Sequence, residues 1–234
     1  MGALHQGHLS LIRLAKERSD KVIVSIFVNP KQFNNPDDLK NYPSSLDRDI
    51  ELLEKEGVDL LYLPQLEEVY PEGFNEEVYQ SRLNNIYEGE KRPGHFEGVS
   101  TIVRILFDIV NPNLAIFGEK DFQQLTLIKE MVDSLKIPIE ILGSETIRDE
   151  NGLALSSRNK LLGDKDKDLA QKLIEIVKTK YLNNLNLDYL RIVSKDFKDL
   201  DKVQQDSRAI IAAYIGGVRL IDNIELNIEF SCKD

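Results

Sequence analysis

Cysteine is almost missing from this chain: its only one, Cys232, lies close to the C-terminal end. No disulfide can form within the chain, Cys232 reads as an inert tail residue, and a reducing, cytoplasmic setting is expected. Long apolar runs are missing as well. No stretch approaches the about 18 consecutive apolar residues of a spanning helix, and the N-terminus carries neither the basic nor the apolar segment of a secretory signal, so no membrane partner is expected. There is no excess of positive charge either. Lys and Arg total 30 against 40 Asp and Glu, a net charge of −10, which excludes broad binding to nucleic acid or to an anionic surface. A phosphate-bearing ligand must therefore be met in a local pocket. Internal repeats and low-complexity tracts are also lacking. What remains is an ordinary globular composition, 41% hydrophobic and 30% charged, and 234 residues are enough for one large domain or for a medium and a small one.

Two kinds of apolar segment alternate along the first part of the chain. KVIVSIFV (21–28), DLLYLP (59–64), NLAIFG (113–118) and PIEILG (138–143) are short and bounded by Asn, Pro or Gly, and they read as buried strands. SLIRLAKERS, SLDRDIELLEKEG, GVSTIVRILFDIV and FQQLTLIKEMVDSL carry apolar residues at three- and four-residue spacing and read as amphipathic helices. Such alternation implies an α/β fold with a doubly wound parallel sheet. Beyond SSRN (156–159) the pattern changes. GDKDKDLAQKLIEIVKTKYL reads as a long charged helix, RAIIAAYIGGVRLIDNIEL as two strands joined at Gly216-Gly217, and KDFKDLDK as a solvated helix or loop. We expect a first domain over 1–146 and a smaller α+β domain over 147–234.

The opening stretch, MGALHQGHLS, places His5 and His8 three residues apart with Gly7 between them, just before a helix. A helix N-terminus offers unpaired N–H groups and partial positive charge, so it attracts phosphate. Two imidazoles on one side of the first turn can donate hydrogen bonds to phosphoryl oxygens as charge builds there. Taken alone the pair reads more simply as a chance surface pair or half of a metal site.

Three further stretches stand where a doubly wound fold places its ligands. SIFVNPKQF follows a strand and brings Asn29, Pro30 and Gln32 to its C-terminal end, although NPKQF alone can be a simple turn. FGEKDFQQ also follows a strand: Gly118 permits close approach, Lys120 is a phosphate-seeking cation, and Gln124, one helical turn on, is expected on a similar side of the helix. Its plainer reading is a helix start whose Glu119 and Asp121 complement the dipole. LALSSRN places two hydroxyls before Arg158, which can fork onto phosphate oxygens from a closing loop.

MGALHQGH, SIFVNPKQF, YP (42–43), RPGHFEGVSTIV, FGEKDFQQL, GLALSSRN and RLIDN follow one another in an order and approximate spacing that resembles the pantothenate synthetase family, which joins pantoate to β-alanine. The resemblance runs from residue 1 to about residue 225, and its first block is similar to the HxGH motif of the wider nucleotidyltransferase superfamily. It implies a Rossmann-like nucleotidyltransferase fold and a homodimer. For ATP binding it implies Met1, Gly2, Ala3, Leu4, His5, Gln6, Gly7 and His8, then Gly118, Glu119, Lys120 and Asp121, then Ile147, Leu155, Ser156, Ser157 and Arg158. For pantoate it implies Gln32 and Gln124, with Gln32 also touching β-alanine. The implied catalytic groups are His8, His5, Lys120 and Arg158, acting on a reaction that forms pantoyl adenylate and pyrophosphate and then releases AMP to the amine. Mg²⁺ is implied with ATP, without a dedicated cluster of protein metal ligands.

The same resemblance marks two departures. In the family a strand ending in Pro-Thr precedes the Met-Gly of the first block, so the chain is expected to lack a central strand, leaving its neighbours with unpaired backbone groups. The second domain is also shorter than the family norm. Arg92 can face substrate or hold the loop before the following helix, His95 is expected to hold that loop, and Tyr42 to pack near the ligand or line the loop after Gln32. Two other readings stay open: another HxGH nucleotidyltransferase acting on a phosphorylated small molecule, which would not need Gln32 and Gln124, and an inactive truncated chain.

Overall fold

The computed structural model describes residues 2–34, 36–40, 42, 45–75, 78–170 and 186–226. In chain order the elements are α1 (Gln6–Arg18), β1 (Ile23–Ser25), α2 (Pro36–Lys40), α3 (Leu46–Glu56), β2 (Leu60–Tyr62), α4 (Leu66–Val69), α5 (Glu88–Lys91), α6 (His95–Val110), β3 (Leu114–Gly118), α7 (Phe122–Ser134), β4 (Glu140–Ser144), α8 (Asp164–Ala170), β5 (Asn186–Val193), β6 (Ser207–Ile215) and β7 (Val218–Leu226). Single 3-10 turns stand at Pro30–Gln32, Arg82–Asn85, Glu119–Asp121 and Ser157–Leu161. Two compact units result: residues 1–119 with 123–144, and residues 120–122 with 145–234.

The first unit has the α/β character that the alternation implies. Its four strands pair as two parallel couples, β1 with β2 and β3 with β4, and among the described residues neither couple has a third strand. The expectation of buried strands holds at Val24, which is 2% exposed, but not along the whole of each strand. The cross-strand partners Ile23 and Leu60 are 44% and 50% exposed, and every residue of β3 is only half-buried. A parallel strand is hidden when neighbours and helices cover it on all sides, and among the described residues each of these strands is paired along one edge only. Helix α1 joins the two couples: its Leu9 and Ile12 pack with Val22, Val24 and Leu53, and the helix also lies against β3 and β4.

Local chemistry sets the helix ends. The last turn of α1 carries Lys16 and Arg18, matching its negative end. In α3, Asp47 and Asp49 stand in the first turn, and the helix stops at Gly57, whose left-handed φ of 66° lets its N–H return to Glu54 and Leu53. Helix α6 buries Phe96, Val99, Ile102, Val103 and Phe107 at three- and four-residue spacing and packs with Ile128, Met131 and Val132 of α7 against Ala115, Phe117 and Ile141.

The second unit is built on the antiparallel sheet β5-β6-β7. Gly216 and Gly217, at φ 55° and 78°, make the two-residue turn between β6 and β7 that the Gly-Gly pair predicts. Strand β5 goes unseen in the sequence reading. The register slips between Leu187 and Tyr189, and that bulge breaks the alternation by which a strand is recognised. The charged helix expected from residue 163 is found as α8 over Asp164–Ala170; residues 171–182 of that expectation lie outside the described residues. KDFKDLDK is a loop, but Phe197 within it is 1% exposed, so the segment is not simply solvated. The structural division falls between Ser144 and Glu145 rather than between 146 and 147, and Lys120–Phe122 group with the second unit because their partners lie there.

Candidate active site

The first block folds as a tight loop feeding α1. His5 caps the helix: its Nδ1 accepts from the Gly7 N–H at 3.1 Å, while His8 Nδ1 accepts from the His5 N–H at 3.3 Å. The two rings lie 4.1 Å apart between centroids. A neutral imidazole that accepts at Nδ1 carries its proton on Nε2, so the backbone fixes both histidines as Nε2–H donors. Leu4 is buried at the foot of the loop, His5, Gly7 and His8 are half-buried, and Gln6 is exposed; Met1 lies outside the described residues.

The loop's shape is held from a distance by a residue that sequence reading missed. Asp49, 1% exposed on α3, accepts the Ala3 N–H at Oδ2 and the Leu4 N–H at Oδ1, both at 2.8 Å. Ala3 has a left-handed φ of 50°, a conformation that a residue with a Cβ keeps only when its surroundings enforce it. Two buried charge-assisted bonds supply that enforcement. Asp49 reads in the sequence as one more acidic residue of a helix first turn, and nothing local distinguishes it from Asp47.

Gln32 closes the 3-10 turn Pro30–Gln32, and the side chains of Asn29 and His95 hold it. Asn29, 1% exposed, gives its amide N–H to the Gly98 carbonyl at 3.0 Å and to Gln32 Oε1 at 3.4 Å, and accepts from the Tyr70 hydroxyl at 2.8 Å. His95 contacts the Gln32 carbonyl through Nδ1 at 2.8 Å and Arg92 through Nε2 at 3.1 Å. Arg92 can only donate, so His95 Nε2 accepts and Nδ1–H donates to Gln32. Both residues thus serve the loop. Tyr42 packs edge-on against Phe33, with 5.4 Å between ring centroids, in the segment after Gln32.

Gln124 and its neighbour behave differently. Gln123 is spent on structure, donating to the Leu83 and Ile86 carbonyls and accepting from the Glu88 N–H. Gln124 is half-buried and, among the described residues, makes no side-chain hydrogen bond. Lys120 and Gln124 do not share one continuous α-helix. Lys120 stands in the 3-10 turn Glu119–Asp121, before α7 begins at Phe122, so the i, i+4 relation of a continuous helix does not apply. Glu119 lies against Gly143 of β4, and the space beside Gly118 is open.

In the second unit Lys120, Ala154, Ser156, Asn159, Leu220 and Asp222 line a small recess. The Lys120 side chain is 19% exposed and its ammonium lies 3.7 Å from the Asp121 carboxylate. Ile147 and Leu155 face each other across a turn, the Leu155 N–H donating to the Ile147 carbonyl at 2.9 Å. Ser156 caps the turn that follows by accepting the Arg158 N–H at 3.3 Å, and Ser157 is buried. The structure therefore gathers Lys120 and Ser156 around one recess, with Ser157 and Arg158 following on the same turn.

The model of the pantoate–β-alanine ligase family matches residues 1–225. A pantothenate synthetase of Aquifex aeolicus is 41% identical over 247 residues, covering 95% of this chain and 88% of its own. The crystal structure of pantothenate synthetase from Thermus thermophilus superposes with a TM-score of 0.91 at 39% identity, covering 96% of this chain and 90% of that one. A pantoate–β-alanine ligase from Francisella tularensis, solved with β-γ ATP and β-alanine, gives a TM-score of 0.84 at 42% identity and covers 96% of this chain and 87% of that one. With a match of this extent and the first block, the Gln32 turn and the SSRN turn all in place, the chain belongs to the pantoate–β-alanine ligase family.

Proposed function

We propose that this chain condenses pantoate with β-alanine at the expense of ATP, through a pantoyl adenylate. The observation that carries the reading is the pair of imidazoles at the start of α1, each held as an Nε2–H donor by a backbone N–H on its other nitrogen. In the first step a pantoate carboxylate oxygen attacks the α-phosphorus, a P–O bond forms, and the bond to the bridging oxygen breaks with release of pyrophosphate. His5, His8, Lys120 and Arg158 neutralise the charge that builds on the phosphates. In the second step the β-alanine amine attacks the acyl carbon, the C–N bond replaces the C–O bond to phosphate, the amine loses a proton, and AMP leaves.

The remaining roles follow the family. Met1 to His8, Gly118 to Asp121, Ile147 and Leu155 to Arg158 hold ATP; Gln32 and Gln124 hold pantoate, and Gln32 also meets β-alanine. Gln124 supports this reading by keeping its amide out of the internal bonds that consume Gln123. Among the described residues no group of three His, Cys, Asp or Glu side chains can hold a metal ion. Both oxygens of Asp49 already accept backbone N–H groups. Mg²⁺ would arrive bound to the phosphates of ATP and help to neutralise their charge. Among the described residues no helix is long and apolar enough to cross a membrane; a cytoplasmic homodimer goes with the reading.

The test is exchange of labelled pyrophosphate into ATP, followed by AMP release on adding β-alanine. Exchange that requires pantoate and AMP release that requires the amine are expected. AMP formation that proceeds equally without pantoate would sink the assignment.

A further inference from the structure

RLIDN carries no role in the reaction as described, yet it places two buried polar residues, Asp222 and Asn223, next to each other on β7, each 3% exposed. Asn223 Nδ2 donates to the Lys120 carbonyl at 2.9 Å. Its Oδ1 accepts from Arg208 Nη1 at 2.5 Å. A guanidinium only donates, so the amide oxygen must face Arg208 and the amide nitrogen must face Lys120. The amide cannot flip without leaving both bonds unmade.

Other contacts converge on the same short turn. The Arg208 guanidinium lies 4.5 Å from the Phe122 ring centroid, and that ring stacks on Phe197 at 5.6 Å. Asp222 receives Arg148 in a two-pronged pair at 2.7 and 2.9 Å. Arg148 also donates to the Gly152 carbonyl within the turn that runs on to Ser156–Arg158. Adjacent residues of one strand thus hold both segments that line the recess.

We propose that Asn223 is a positioning residue: by fixing the Lys120 carbonyl it sets where the Lys120 ammonium meets the nucleotide. This rests on the reading of Lys120 as a phosphate-binding cation. Asn223→Asp isolates the bond in question. The carboxylate keeps the acceptor for Arg208 with a stronger, charge-assisted partner, but it turns an oxygen toward the Lys120 carbonyl where a donor stood.

The experiment uses the full chain and reads two half-reactions separately: pantoate-dependent pyrophosphate exchange, and amine-dependent AMP release. Asn223→Asp should lower kcat/KM for ATP in exchange by about tenfold and leave KM for β-alanine unchanged. In a Lys120→Ala background the same substitution should cost almost nothing further, because its effect passes through the lysine. Asn223→Ala, which introduces no repelling charge, carries the same comparison if the Asp variant melts early. Equal losses in both half-reactions, full additivity with Lys120→Ala, or failure of both variants to fold would each show a merely structural bond and overturn the proposal. Exchange that depends on Lys120 but is indifferent to Asn223 overturns this inference alone. Exchange indifferent to Lys120 overturns the reading of the site together with it.

Discussion

At the scale of single residues, Asp49 is where structure and activity are most tightly joined. Removing its carboxylate leaves two buried N–H groups unpaired and frees Ala3 to leave its left-handed conformation. Asp49→Ala should cost about 2–4 kcal/mol in chemical unfolding, and Asp49→Asn, which keeps one acceptor, about half as much. Both should raise KM for ATP, and unchanged nucleotide binding in a folded Asp49→Ala protein would show that the loop keeps its shape unaided. His8 and Gln124 should divide the labour differently. His8→Ala is expected to lower the adenylation rate by about a hundredfold with little change in pantoate affinity, whereas Gln124→Ala should chiefly weaken pantoate binding. Equal losses of pantoate affinity in the two variants would contradict that division.

At the scale of elements, the close approach of α6 to the Pro30–Gln32 turn decides the geometry of Gln32. A Cβ added at Gly98 would stand 2.5 Å from the Lys31 carbonyl group and 2.7 Å from the Gln32 nitrogen, all backbone atoms that cannot turn aside. Gly98→Ala should therefore displace the turn, destabilise the chain by about 1–3 kcal/mol and raise KM for pantoate more than KM for ATP. Pantoate kinetics identical to the parent's would mean that the turn absorbs the methyl. The same element shows what a sequence can and cannot disclose. The helix over 98–110 and the chemistry of NPKQF are legible because periodicity and residue type are local. The need for glycine at 98 is not, since it arises only where another segment, 66 or 67 residues earlier in the numbering, crosses the helix. Asp49 escapes notice for the same reason, with 45 and 46 positions between it and the N–H groups it holds. Strand β5 escapes through its bulge, and Phe197 through the charges around it.

At the scale of the whole molecule, the two units differ in how their strands are protected. Strand β6 is bonded along both edges and almost wholly buried, whereas each strand of the first unit has one partner only among the described residues. Amides of β6 should exchange with solvent at least about tenfold more slowly than those of β1 to β4, as hydrogen exchange read by mass spectrometry can test; equal protection would show that the parallel couples are shielded as well as a central strand. The path of the chain adds a consequence for biogenesis. Lys120 to Phe122 belong to the second unit although residues of the first precede and follow them, and the bond from Asn223 to Lys120 closes a separation of 103 positions. On a ribosome, the lysine emerges long before its tether exists. Closing so long a loop is slow relative to local pairing, so the turn bearing Lys120 should be among the last parts of the second unit to be locked, only once β7 has been laid down.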